Sequence, residues 1–193
     1  YQIDIHLKKN KAKGIAINGV PIRKASELFG IANFVFFSPE DLSIIKQGPA
    51  ERRRFLDMEL CQLDKVYLHH LSGYNRVLIQ RNKLLKDLAF QPELADTLDV
   101  WDLQLAEYGK RVIEGREEFI ASLGEIVGRI HGNLSGGRER LKLSYEKNAS
   151  GEELYERIRQ NRDKDIRMKT TSVGPHRDDL LFSSDGVDTR KFG

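Results

Sequence analysis

Two long apolar stripes at helical spacing constrain this chain more than any other feature. Tyr67, Leu71, Tyr74, Leu78, Leu85 and Leu88 recur at intervals of three, four or their sum, with Arg81 interrupting. Leu98, Trp101, Leu105, Tyr108, Val112, Phe119, Leu123, Ile126 and Ile130 repeat the pattern, with Gly115 in the gap. Side chains three and four apart share one face of an α-helix, so each run reads as an amphipathic helix with a buried stripe. Gln91-Pro92 breaks the chain between them. The spacing predicts two long antiparallel helices, each stripe forming core against the other.

Strand character flanks this hairpin on both sides. Ile3, Ile5 and Leu7 alternate with polar residues, and Ile15, Ile17 and Val20 continue after Gly14, with a tight turn at Asn18-Gly19. A short helix is expected over Ala25 to Phe29, stopped by Gly30. The continuous apolar run Phe34-Val35-Phe36-Phe37 predicts a buried strand. Ser38 and Pro39 then suit a helix start. Gly48-Pro49 precedes a further helix over about Glu51 to Cys61. Past the hairpin, Leu141, Leu143 and Tyr145 alternate, and Ser150 with Glu153 forms a capping-box pattern for a helix from Glu152 to about Arg162. Thr171 and Val173 suggest one strand, and Leu180-Leu181-Phe182 another, turning at Asp185-Gly186. The fold class is α+β, a strand-rich base with a protruding helical arm. The divisions are 1–48 for the first lobe, 49–134 for the arm, and 135–193 for the returning strands and helix.

Composition narrows the function classes. Charged residues are 32% of the 193 and hydrophobic ones 39%, with a net charge of +3. That is a strongly solvated protein whose overall charge does not by itself announce nucleic acid. The cations do gather, at Lys8, Lys9, Lys11 and Lys13, at Arg52-Arg53-Arg54, and from Arg138 to Lys142. Cys61 is the sole cysteine, which excludes disulfide frameworks and paired-cysteine zinc sites and fits a reducing cytosol. No apolar run is long enough to cross a bilayer. The abrupt opening at Tyr1 and the ending at Arg190-Lys191-Phe192-Gly193 read as an internal piece of a larger protein.

Few motifs carry chemistry. Leu134-Ser135-Gly136-Gly137 matches four letters of the ATP-binding-cassette signature LSGGQ. It follows a long helix instead of opening one, and an alternating strand comes next, so it reads as a glycine helix stop and a decoy. No G-x-x-x-x-G-K-[ST] occurs, and no His/Cys/Asp cluster has metal spacing. Adjacent His69-His70 on a helix point in different directions. Gly174-Pro175-His176-Arg177-Asp178-Asp179 packs two cations and two anions into one turn. It reads either as a salt-bridged turn or as a phosphate contact by Arg177 assisted by His176.

Several segments together resemble the RecF family of bacterial repair ATPases, over essentially the whole chain. They are Phe36 to Leu42, Glu51 to Asp57, Tyr74-Asn75-Arg76-Val77-Leu78, Gln80-Arg81-Asn82 and Ser172 to Leu180. The resemblance implies part of an SMC-like ABC-ATPase head and its arm, between the phosphate loop and the true signature, which would follow Lys191-Phe192-Gly193. It implies ATP and Mg in the whole protein, a second head joined through ATP, and a cytoplasmic role at duplex or gapped DNA with RecR, RecO and RecA. No catalytic residue is expected here, and no activity of this stretch alone. The DNA-facing residues expected on that basis are Arg177, His176, Arg52, Arg53, Arg54, Lys8, Lys9 and Lys11, with Glu40 and Asp41 near the nucleotide edge. The arginines at the arm root have a competing role, pairing with Glu51, Asp57 or Glu59 across the helix surface. The alternative is a structural or dimerisation arm with protein contacts only.

Overall fold

The structure is a computed structural model that describes residues 1–10, 13–36, 38 and 44–191, with backbone alone at Lys191. The helical hairpin dominates it. Helix α1 (Pro49–Leu63) starts with Gly48 at the cap and Pro49 in the first turn, where a missing N–H costs nothing. Asp64 ends α1 and caps α2 (Lys65–Asp87), its carboxylate accepting from the Val66 amide at 2.7 Å. A 3-10 turn over Pro92–Thr97 leads into α3 (Leu98–Ser135).

The stripes pack as their spacing requires. Tyr67, Tyr74 and Val77 of α2 meet Leu105, Val112 and Ile113 of α3, while Leu84, Leu85, Leu88 and Leu98 close the hairpin tip. The stripe on α3 does not stay buried to its end. Ile126 is 46% and Ile130 51% exposed, because α3 has 38 residues against 23 in α2 and runs about four turns past its partner. Arg81, which interrupts the α2 stripe, is fully buried.

Two small antiparallel sheets complete the fold. One holds β1 (Ile3–His6), β2 (Gly14–Ile17) and β3 (Val20–Pro21) in order, with Asn18 and Gly19 at positive φ in the turn. A 3-10 turn over Ala25–Leu28 follows. The other sheet pairs β4 (Leu141–Glu146) with β5 (Asp179–Ser184), Leu143 opposite Phe182, and β5 with β6 (Val187–Asp188) across Asp185-Gly186. Leu143 and Leu180 join Leu56 of α1 and Ile120 of α3 in a second core. No helix among the described residues is long and apolar enough to cross a membrane.

Three expected elements are corrected. Residues 34–36 form no strand, and Val35 and Phe36 are 93% and 86% exposed. Among the described residues no neighbouring strand takes their backbone bonds, and an apolar run signals a need for burial without saying what supplies it. Phe37 and Pro39 lie outside the described residues. The helix from Glu152 to Arg162 is instead two, α4 (Leu154–Gln160) and α5 (Arg162–Met168). The break falls at Asn161, whose side chain donates to the Arg157 carbonyl at 2.8 Å while Arg162 turns back to Asp99 and Asp102. Ser150 does accept from the Glu153 amide, at 3.3 Å. Thr171 and Val173 lie in no strand, because side chains hold this backbone. The Leu134 to Gly137 motif is a helix end: Gly136 adopts φ 63° and the Gly137 amide bonds back to the Gly132 carbonyl at 2.8 Å.

Candidate nucleic-acid interface

Gly174 to Asp179 is where the elements converge. The 3-10 turn Pro175–Arg177 feeds directly into β5. From α3, Arg116 donates to the Pro175 carbonyl at 2.7 Å and forks onto Asp57 of α1 at 2.9 and 3.1 Å. From β4, the Tyr145 hydroxyl donates a short hydrogen bond to Asp178. The Asn148 amide donates to the same carboxylate at 2.7 Å. Burial pushes the Asp178 carboxyl up, and these hydrogen bonds oppose it. Gly174 has φ 136°, and a Cβ there would lie 2.4 Å from the Tyr74 hydroxyl. Only glycine lets the turn close on that ring.

His176 lies inside this junction. Its Nε2 is 3.0 Å from the Thr171 carbonyl, which can only accept, so Nε2 carries the proton. Nδ1 then accepts from the Tyr74 hydroxyl at 2.6 Å. Burial pushes the imidazole pKa down to about 4. His176 is therefore neutral with both nitrogens engaged, and phosphate has no ring donor to meet. Arg52 is drawn inward too, at 3% exposure. It binds both oxygens of Asp179 at 2.6 and 3.0 Å and reaches the Ile44 carbonyl at 3.2 Å. Burial pulls the other way, but Arg52 holds the Asp179 carboxyl below the usual range.

The other expected cations face outward. Arg177 is exposed, with one guanidinium nitrogen donating to the Thr171 carbonyl at 3.2 Å. Arg54 is exposed and only 3.6 Å from Glu51, a weak surface pair. Arg53 is half-buried and donates to the Asp178 carbonyl at 2.7 Å, with no carboxylate ion pair among the described residues. Arg53, Arg54 and His176 line one cleft of about 480 Å³ between α1 and α2, with Asn75 and Tyr74 on its wall. Lys8 and Lys9 are exposed beyond β1 and do not line it. Lys11, Glu40 and Asp41 lie outside the described residues.

Sequence reasoning missed the buried polar groups that build the junction. Arg81 reaches Asp102 at 2.7 Å and Asp165 and Thr171 at 2.8 Å, all fully buried. Its interruption of the stripe was the signal, since a cation on a core face must be paired. Arg116 falls four residues after Val112 on the α3 stripe, which explains the gap noted at Gly115.

Fold and site together define an α+β protein whose long helical arm is rooted on a small sheet, with a polar junction and a cationic cleft at the root. No family model matches the chain. Over 193 residues it is 62% identical to the DNA replication and repair protein RecF of Agathobacter rectalis, covering all of this chain and 53% of that protein. The RecF of Lachnospira eligens is 57% identical over 195 residues, with 54% of it covered. The solved structure of the recombination mediator protein RecF-ATP in the RecFOR pathway superposes with a TM-score of 0.90 at 33% identity, over 99% of this chain and 53% of that one. Along its whole length the chain is similar to RecF proteins. It spans about half the length of the curated relatives it matches.

Proposed function

We propose that this chain is the arm and base of a RecF-type repair ATPase of the ABC class, holding the backbone of duplex or gapped DNA at the arm root. Arg53 carries the reading. A half-buried guanidinium without a carboxylate partner among the described residues sits at a cleft beside exposed Arg54. Burial and then Arg116 lower its pKa, and Asp179, Asp178 and Asp57 nearby offset this only in part, so an anion brought to it would relieve a cost. Arg177, Lys8 and Lys9 add exposed positive charge, whereas Arg52 and His176 shape the site from within. Such cations bind phosphate without reading sequence.

The whole protein would bind ATP with Mg, pair with a second copy through ATP, and act in the cytoplasm with RecR, RecO and RecA. The sequence contains no phosphate-loop motif, and no group of three His, Cys, Asp or Glu among the described residues could hold a metal.

Fluorescence anisotropy with a gapped duplex across a salt series tests the reading. Affinity should fall steeply with salt, and Arg54→Ala and Arg177→Ala should each lower the slope of log K against log salt by about one. Absence of binding at low salt, from a folded sample, would instead support an arm that makes protein contacts only.

A further inference from the structure

The backbone between α5 and the Pro175 turn is held by side chains from other elements. The Thr171 amide and hydroxyl both donate to Asn82 Oδ1 at 2.7 Å. The Ser172 amide donates to Asp165 at 3.0 Å, and the Gly174 amide to Asn148 at 3.0 Å. Thr171 is fully buried, and its hydroxyl also accepts from Arg81 at 2.8 Å. Its carbonyl points the other way and accepts from both His176 and Arg177. One residue is thus fixed by α2 on its amide side and fixes the His176-Arg177 pair on its carbonyl side.

We propose that Asn82 is a positioning residue that, through Thr171, makes the arm helix set where the turn presents Arg177. The ligand that Arg177 meets rests on the DNA reading above, but the clamp does not. Among the described residues only the amide oxygen of Asn82 is used, so a carboxylate oxygen at the same place can replace it, whereas a leucine of similar shape cannot. Losing that acceptor strands two buried donors on Thr171, and the segment must shift to hydrate them. His176 then loses its carbonyl partner. The other groups facing its ring are Tyr74 of α2, Arg53 of α1, Asp165 of α5 and neighbouring Arg177, and none is changed by the substitution.

The test is NMR on the 193-residue chain, reading Thr171 amide exchange and the titration of the His176 ring, with gapped-duplex anisotropy alongside. In the wild type the Thr171 amide should exchange as slowly as amides in the middle of α2. Asn82→Leu should speed that exchange about tenfold or more and shift the His176 midpoint away from about 4, since burial lowers that midpoint and the Thr171 carbonyl contact, which raises it, is lost. Asn82→Asp should restore both. In the binding assay Asn82→Leu should weaken affinity as much as Arg177→Ala, and the double variant no further. A fast-exchanging wild-type Thr171 amide, which needs no variant to fold, overturns the clamp. So does an unmoved His176 in Asn82→Leu, or binding lost in Arg177→Ala but kept in Asn82→Leu. If both NMR readouts respond while no variant binds DNA, the clamp is upheld and the DNA reading is what fails.

Discussion

Arg116 of α3 forks across Asp57 of α1, with Nη2 at 2.9 and 3.1 Å from its two oxygens and Nε at 3.2 Å, while Nη1 holds the Pro175 carbonyl. One side chain that is 2% exposed joins the hairpin, the helix at its root and the turn before β5. Arg116→Ala would leave Asp57 facing a void without its ion-pair partner. A broken buried pair typically costs about 3–5 kcal/mol, and the exposed edge of Asp57, 24% accessible, favours the lower end. Urea unfolding should show a fall of about 3 kcal/mol, and a loss near zero would show that the fork carries no weight.

Gly174→Ala should be harmful out of proportion to one methyl group. The position has φ 136°, where a side chain is strained, and the added carbon would meet the Tyr74 hydroxyl. A loss of about 2 kcal/mol or more is expected. Pairing it with Tyr74→Phe removes the oxygen and should recover part of that loss, read from the shift in thermal midpoint.

Stability should depend on His176 in mild acid. The folded imidazole is held down to about 4 by burial, against 6.5 when free. Between those values the unfolded chain binds the extra proton, so stability increases with pH and falls as pH drops from about 6.5 to 4. The full effect is at most about 3.5 kcal/mol, since one pKa unit is about 1.4 kcal/mol. His176→Gln should flatten that part of the curve. Identical pH profiles for wild type and variant would mean the imidazole is not buried neutral.

Gly136→Ala tests the helix stop. With φ 63°, the residue ends α3 in the left-handed region. Alanine there should cost about 1 kcal/mol and leave gapped-duplex binding unchanged. A marked effect on binding would give the Leu134 to Gly137 motif a role beyond ending a helix.

The sequence by itself determined the hairpin, its break at Gln91-Pro92, the turns at Asn18-Gly19 and Asp185-Gly186, and the helix stop at Gly136. Each depends on local rules of periodicity and permitted backbone angles, which are written in neighbouring residues. What tertiary structure decided was the fate of the charges. Arg52, Arg53 and Arg54 are adjacent and chemically alike, yet one is buried on Asp179, one is half-buried on the Asp178 carbonyl, and one is exposed at the mouth of the cleft it shares with Arg53. Consecutive residues on a helix point about 100° apart, so their environments depend on which faces α3 and β5 cover. Phe34 to Phe36 shows the same division, because apolarity states a need for burial and only the fold can meet it. Thr171 looked like strand and became a hub, since its partners on Asn82 and Arg81 lie some ninety residues away. Pairing across that distance follows from packing, which no local pattern encodes.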